Sequence, residues 1–218
     1  MVNRLFFRLW FPLGILILGL FYGQYSIKVT QQSNQQAIEQ AVDNQLSLVN
    51  SNILEAVGLY EYGVRGIRAA VEAVGFDQWS YDQQLRYFNS RTYEQEYPGA
   101  RGFGLIKKVD ADELSNFLAK AKTDRNAPFE LKQLSSPQDP LFIIQYIEPE
   151  ANNEQAVGLD IGSEANRRYA ALTSAAPKST QLSAPITLVQ ASDKVGHGFL
   201  LLHPRFESKE ASQSPKLL

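Results

Sequence analysis

Apolar and polar positions fall into three regimes along this chain. From Leu9 to Ile27 no charged residue occurs, and the centre reads Leu-Trp-Phe-Pro-Leu-Gly-Ile-Leu-Ile-Leu-Gly-Leu-Phe-Tyr-Gly. That length and composition predict a helix able to cross a bilayer. From Lys28 to Val74 there is no proline, and apolar residues recur at Ile38, Val42, Leu46, Val49, Ile53, Val57, Tyr60, Val64, Ile67, Val71 and Val74. Steps of three and four predict a second helical stretch with one apolar seam, and from Ile53 onward the rhythm is heptad. Its first half is rich in Gln, Asn and Ser, so only a narrow stripe can be buried. That stripe suits the same helix of a second chain, or a domain folded from the rest of this one. Gly75 stands where a C-cap glycine would end the helix.

The third regime consists of shorter segments punctuated by proline and glycine. Ser80, with Gln83 three residues on, is a capping-box pattern opening a helix to about Glu96. Ala100 to Val109 reads as a strand. Asp110 to Glu113 reads as a second capping box, opening a helix through about Lys122. Pro128 to Leu134 alternates, and Leu141 to Glu148 is a strong strand stopped by Pro149. Val157 to Ile161 is brief and extended. Glu164 to Ala176 predicts a helix ending at Pro177. Pro185 to Gln190 and Gly198 to His203 predict strands, with a turn at Ser192-Asp193-Lys194 between them and a loop from Glu207 to Leu218. About five strands and short helices in mixed order disfavour a regularly alternating parallel sheet. The expected class is α+β, an antiparallel sheet with helices on one side.

Composition narrows the chemistry. The chain has 218 residues, 44% hydrophobic and 20% charged, which excludes a wholly disordered chain. Lys plus Arg total 21 against 23 acids, so nothing draws the chain generally toward nucleic acid. Cysteine is absent, which removes disulfides, thiolate nucleophiles and Cys-based metal sites. His197 and His203 are the only imidazoles. No cofactor and no metal are expected. Arg4 and Arg8 precede the apolar run, whereas between Lys28 and Arg65 there are acids and no base. The positive-inside rule therefore puts the N-terminus in the cytoplasm. A cleaved signal peptide is the competing reading, but the aromatics Phe21, Tyr22 and Tyr25 suit an interfacial belt better than a cleavage site.

No nucleophile elbow, P-loop, zinc-helix motif or calcium loop occurs, and no catalytic residue is expected. The glycines at 99, 102 and 104 begin a strand and so do not form a dinucleotide loop. Lys107-Lys108 and Arg167-Arg168 read as solvated faces. Asp160, between Leu159 and Ile161, reads as the cap of the next helix or the closure of a turn. Glu148 ends the most apolar strand. There a carboxylate can face a pocket and accept hydrogen bonds from a ligand, or simply be solvated.

Several runs in order resemble the CHASE domain, an extracytoplasmic sensory module of bacterial receptors and plant cytokinin receptors. They are Tyr97 to Gly104, Phe142 to Pro149, Asn152-Asn153, Gly158 to Ile161, Arg167 to Leu172, Leu182 to Ile186 and Leu200 to Pro204. The resemblance covers Lys28 to about Phe206. It implies a cytoplasmic N-terminus over 1–8, a transmembrane helix over 9–27, a stalk helix over 28–75, a PAS-like ligand-binding domain over 76–206 and a loop-like tail over 207–218.

By similarity of position, Glu148 is the ligand's acid, Leu182 and Ser183 make the second contact, and Phe142 and Ile144 form the wall. The implied function is a periplasmic or extracellular small-molecule sensor on a single-pass inner-membrane receptor, a homodimer through its stalk. An adenine derivative is one candidate ligand. The family continues into a second subdomain, a second membrane helix and an effector such as a histidine kinase or diguanylate cyclase. This chain shows none of them, so it looks like the N-terminal part of a receptor, or a truncated gene product. The alternative reading is a membrane-anchored PAS-like interaction or scaffold protein without a ligand.

Overall fold

The computed structural model of the protein describes residues 2–174, 180–188, 196–205 and 216–217. The chain divides into two compact units, Met1–Glu55 and Ala56–Leu218. Helix α1 runs over Val2–Val74. In the first unit every described apolar side chain is open or half-open, including Leu16, Phe21, Ile38, Leu46 and Ile53. This part of α1 contains a window of mean hydropathy 1.3, long and apolar enough to cross a membrane.

Within the second unit, α1 ends where glycine permits it. Gly75 has φ +95°, and its N–H donates to the Val71 carbonyl at 2.9 Å. A turn of 3-10 helix at Phe76–Gln78 leads to α2, Tyr81–Asn89. The capping box at Ser80 forms as expected, the Ser80 N–H donating to Gln83 Oε1 at 2.8 Å. The expected continuous helix to Glu96 is broken instead. Ser90 caps α2, and a separate turn, α3, occupies Tyr93–Glu96. Arg91 explains the break: its guanidinium donates to Tyr87 Oη, Glu96 Oε2 and Tyr97 Oη, tying the two helices across the corner.

Strand β1, Phe103–Val109, pairs antiparallel with β2, Leu141–Glu148. The register shifts between Leu105 and Ile106. Phe103 and Leu105 join one hydrophobic cluster with Val64, Ile67 and Val71 of α1 and the rings of Trp79, Phe88, Tyr97 and Tyr146. Ile106 and Val109 join the other, with Phe142, Ile143, Ile144 and Ile147, plus Phe129, Leu159, Ile161 and Ala171. A single ladder thus lines both cores. In the first cluster an aromatic chain runs through Trp79, Tyr87, Phe88, Tyr93, Tyr97 and Phe103, centroids 4.8 to 6.3 Å apart. It packs on α1 at Gly63, where an added Cβ would lie 2.8 Å from ring atoms of both Phe103 and Tyr97.

Helix α4 spans Leu114–Arg125. The capping box expected at Asp110–Glu113 does not form: the Glu113 N–H donates to the Asp110 backbone carbonyl at 3.0 Å instead of to its side chain, and the helix starts one turn later, with Glu113 as its N-cap and no side-chain cap. Pro128 to Leu134, expected as a strand, makes only an isolated bridge, Lys132 with Leu159. Leu159 and Asp160 in turn dock on β2, the Ile144 N–H donating to the Leu159 carbonyl at 3.0 Å.

Helix α5 comes next, at Ala165–Ser174. Beyond it lie β3 (Gln181–Leu182), β4 (Ile186–Thr187), β5 (His197–Gly198), β6 (Leu201–Leu202), β7 (Pro204–Arg205) and β8 (Lys216–Leu217). These pair antiparallel as β3 with β6, β4 with β5 and β7 with β8. The single strand expected over Gly198 to His203 is thus divided among different partners. Leu217, expected in a loop, is paired with Pro204. The expected turn at Ser192 to Lys194, and the ends of the segments expected to reach Ala176 and Gln190, lie outside the described residues. The fold is α+β, with small antiparallel sheets and flanking helices.

Candidate functional site

Glu148 closes β2, opposite Phe103 of β1, and is 8% exposed. The turn after it returns its own N–H to the acid: the Glu150 N–H donates to Glu148 Oε2 at 3.0 Å. Asn153 holds that turn, its amide donating to the carbonyls of Arg101 and Pro149 at 2.8 Å each. Glu150 then reaches outward. It accepts from Arg125 Nη2 at 2.5 Å and from Tyr81 Oη at 3.0 Å. Arg125 ends α4, and its guanidinium carbon stacks 4.5 Å over the Tyr81 ring. Its neighbour Asp124 accepts from Tyr146 Oη at 2.5 Å and from the Tyr81 N–H at 3.2 Å. Asp124 is also one wall of a shallow open depression, with Ala119, Lys120 and Thr123. The result is one polar network joining α2, α4, β2 and the turn after it.

Two members are incompletely satisfied among the described residues. Glu148 Oε1 is buried without a hydrogen-bond partner, as are Arg125 Nε and Nη1. A buried group left unpaired is costly unless something supplies its partner. Burial pushes the Glu148 carboxyl above the usual carboxylate range, Glu150 adds to that, and the Glu150 N–H and Arg125 oppose it. Burial and Asp124 likewise push the Tyr146 phenol up. Among the described residues the arrangement leaves one acceptor and two donor nitrogens unused within a single network. It holds no nucleophile activated by a base.

The other expected contact residues sit elsewhere in the same unit. Phe142 and Ile144 are packed into the second hydrophobic cluster. Leu182 is 50% exposed on β3. Ser183 is buried, and its hydroxyl accepts from the Leu200 N–H at 2.9 Å. Asp160 caps the following 3-10 turn, as expected. It is fully buried, and Oδ1 accepts from the N–H of Gly162 and of Phe142 at 2.9 Å each.

The expected solvated face at Arg167-Arg168 is corrected. Arg167 is 3% exposed and donates to the Thr187 carbonyl, while Arg168 clasps the carbonyls of Gln138, Asp139 and Pro140. Planar guanidinium forks suit such carbonyl clusters. Sequence reasoning also passed over Tyr81, Asp124, Arg125, Tyr146 and Glu150. The adjacent opposite charges at the end of α4 and the acid after Pro149 were the available signals. Neither says that three distant segments meet. Among the described residues no group of three His, Asp or Glu side chains is placed to hold a metal.

No curated protein matches the chain. A family model for the CHASE domain matches residues 77–217, well over half of the sequence. The match runs from the turn after α1 to β8 and contains all but the α1 packing of the second unit. Glu148 and every partner in its network lie inside that stretch, and a match of this extent shows that this chain belongs to the CHASE domain family of extracytoplasmic, non-catalytic sensory domains.

Proposed function

We propose that this chain is the small-molecule-sensing region of a membrane-anchored receptor, and that Glu148 is its ligand acceptor. The observation that carries this reading is the buried Glu148 Oε1, without a hydrogen-bond partner among the described residues, in the same network as the unpaired Arg125 Nε and Nη1. A ligand N–H or O–H supplies the missing partner. Arg125, whose Nε and Nη1 have no hydrogen-bond partner among the described residues, takes an acceptor on the same ligand. Adenine derivatives carry both edges. Leu182 and Ser183 join the contact when the ligand is bound, with Phe142 and Ile144 behind it. Binding closes the 76–206 domain around the ligand, and the differential contacts shift α1. The seam from Ile38 to Ile53 is covered by the same helix of a second copy. Residues 9–27 cross the inner membrane with the N-terminus in the cytoplasm and the sensor outside, and a kinase or cyclase effector belongs to a further part of the receptor.

The test is ligand-induced stabilisation of the full chain in lipid nanodiscs, over a panel that includes adenine derivatives. A ligand at 100 times Kd stabilises by about 2.7 kcal/mol. Glu148→Ala, which removes a hydrogen bond to a charged group worth about 1.5–3 kcal/mol, is expected to weaken affinity roughly tenfold to hundredfold. A ligand bound equally well by Glu148→Ala sinks the assignment of the site.

A second reading, a scaffold with an occluded core, is favoured by one feature: Phe142 and Ile144 are packed among other side chains. It predicts a well-folded protein that no member of the panel stabilises.

A further inference from the structure

His203 lies outside the Glu148 network and has its own purpose-built surroundings. It is 4% exposed and stands between α1 and the segment leading into β3. Arg68 Nη1 of α1 is 2.9 Å from its Nε2, and Thr180 Oγ1 is 3.0 Å from its Nδ1. A guanidinium only donates, so Nε2 must be the acceptor, and the ring is neutral with its proton on Nδ1. That proton goes to Thr180 Oγ1. The Thr180 hydroxyl then donates to Glu61 Oε1 at 2.8 Å, and Arg65 Nη2 lies 2.7 Å from the same oxygen. The chain is directional from end to end: Arg68 to His203 to Thr180 to Glu61.

The charges around the ring set what protonation does. From α1, Arg65 and Arg68 face it with Glu61, and Glu72 lies 3.8 Å from Arg68. From β7, Arg205 is drawn to Glu72 at 3.3 Å. A proton on Nε2 would turn the acceptor for Arg68 into a second donor facing it, and add a cation beside two arginines. One of the contacts that hold α1 to the β3 and β7 segments, the Arg68–His203 hydrogen bond, would be lost to a single proton, while Thr180–Glu61 and Arg205–Glu72 remain.

We propose that His203 is a proton-binding site, through which acidification loosens the 57–74 stretch of α1 from the strands beside it. The sensor then has a second input, independent of the small-molecule site at Glu148. Burial, then Arg68 and Arg65, hold the imidazole below the ordinary histidine value of 6.5, with Glu61 opposing. The neutral, docked form is therefore fully populated above that ordinary value. Its contribution is lost as pH falls through 6.5 toward the depressed value.

The experiment uses the full chain in nanodiscs with isotope-labelled histidine. The two ring signals are assigned with His197→Gln, His197 being solvent-exposed. The expected result is the Nδ1–H tautomer of His203 at about pH 8, and protonation below the ordinary range. Hydrogen-exchange protection in 57–74 is expected to fall with that protonation by up to about tenfold per pH unit, the limit for one linked proton. His203→Gln, whose amide oxygen still accepts from Arg68 but takes no proton, is expected to keep its protection over the same range. Arg68→Met is expected to move the His203 titration upward, and it keeps the test alive if His203→Gln does not fold. An Nε2–H tautomer, a titration unmoved by Arg68→Met, or superimposable protection profiles for wild type and His203→Gln would overturn the proposal.

Discussion

The same helix carries one apolar seam in two opposite environments. At Ile38, Val42, Leu46, Val49 and Ile53 the seam is more than half exposed. At Val64, Ile67 and Val71 it is buried, Val71 completely. Spacing does not distinguish them: the heptad-like part, which most resembles an interchain coiled coil, begins at the exposed Ile53 and ends in the part covered by its own domain. What distinguishes them is the supply of partners. After Gly75 the chain returns with Trp79, Phe88, Tyr97 and Phe103, and these rings cover the last turns of α1. Periodicity therefore marks a face that can be buried and leaves its occupant undefined.

Changes along the seam sharpen the contrast. Val71→Asp puts a charge where no water reaches and is expected to cost more than about 4 kcal/mol, unfolding the second unit in a denaturant titration. Ile67→Ala leaves a cavity and is expected to cost about 2–5 kcal/mol by the same measurement. The glycines give a finer pair. Gly63→Ala drives a methyl into the Phe103 and Tyr97 rings and should cost about 1–3 kcal/mol, whereas Gly58 has open space around it. Gly58→Ala should therefore stabilise the helix by up to about 1 kcal/mol. Equal signs for the two would break the comparison.

Smaller still is Leu46→Asp, expected to change the stability of the second unit by less than about 0.5 kcal/mol. The same site reports on the second copy. The chain has no cysteine, so Leu46→Cys offers one clean cross-linking position. Efficient disulfide dimers in nanodiscs are the expected outcome, and their absence would leave the open seam without its proposed partner.

The elements that were legible beforehand share a property: their causes are local. Ser80 and Gln83 are three residues apart and cap one another. Gly75 ends α1 because glycine alone adopts positive φ without cost. Leu141 to Glu148 is apolar at nearly every position, and it is the strand buried on both sides. Asp160 closes its own turn two residues on. The failures were also local readings, overruled from a distance. The helix after Ser80 was broken by Arg91, and Arg167 was buried under Thr187.

The sequence by itself determined the apolar run, the long seamed helix, the caps and the α+β class, because each depends on spacing and backbone preference over a few residues. Tertiary structure alone decided which half of the seam is covered. It also brought Tyr81, Asp124 and Arg125 to Glu148 and Glu150, and set His203 between Arg68 and Thr180. The two contacts of His203 alone join residues 23 and 135 positions apart. Only the folded chain determines which of many polar groups meet, because burying any one of them is favourable only when its partner has arrived.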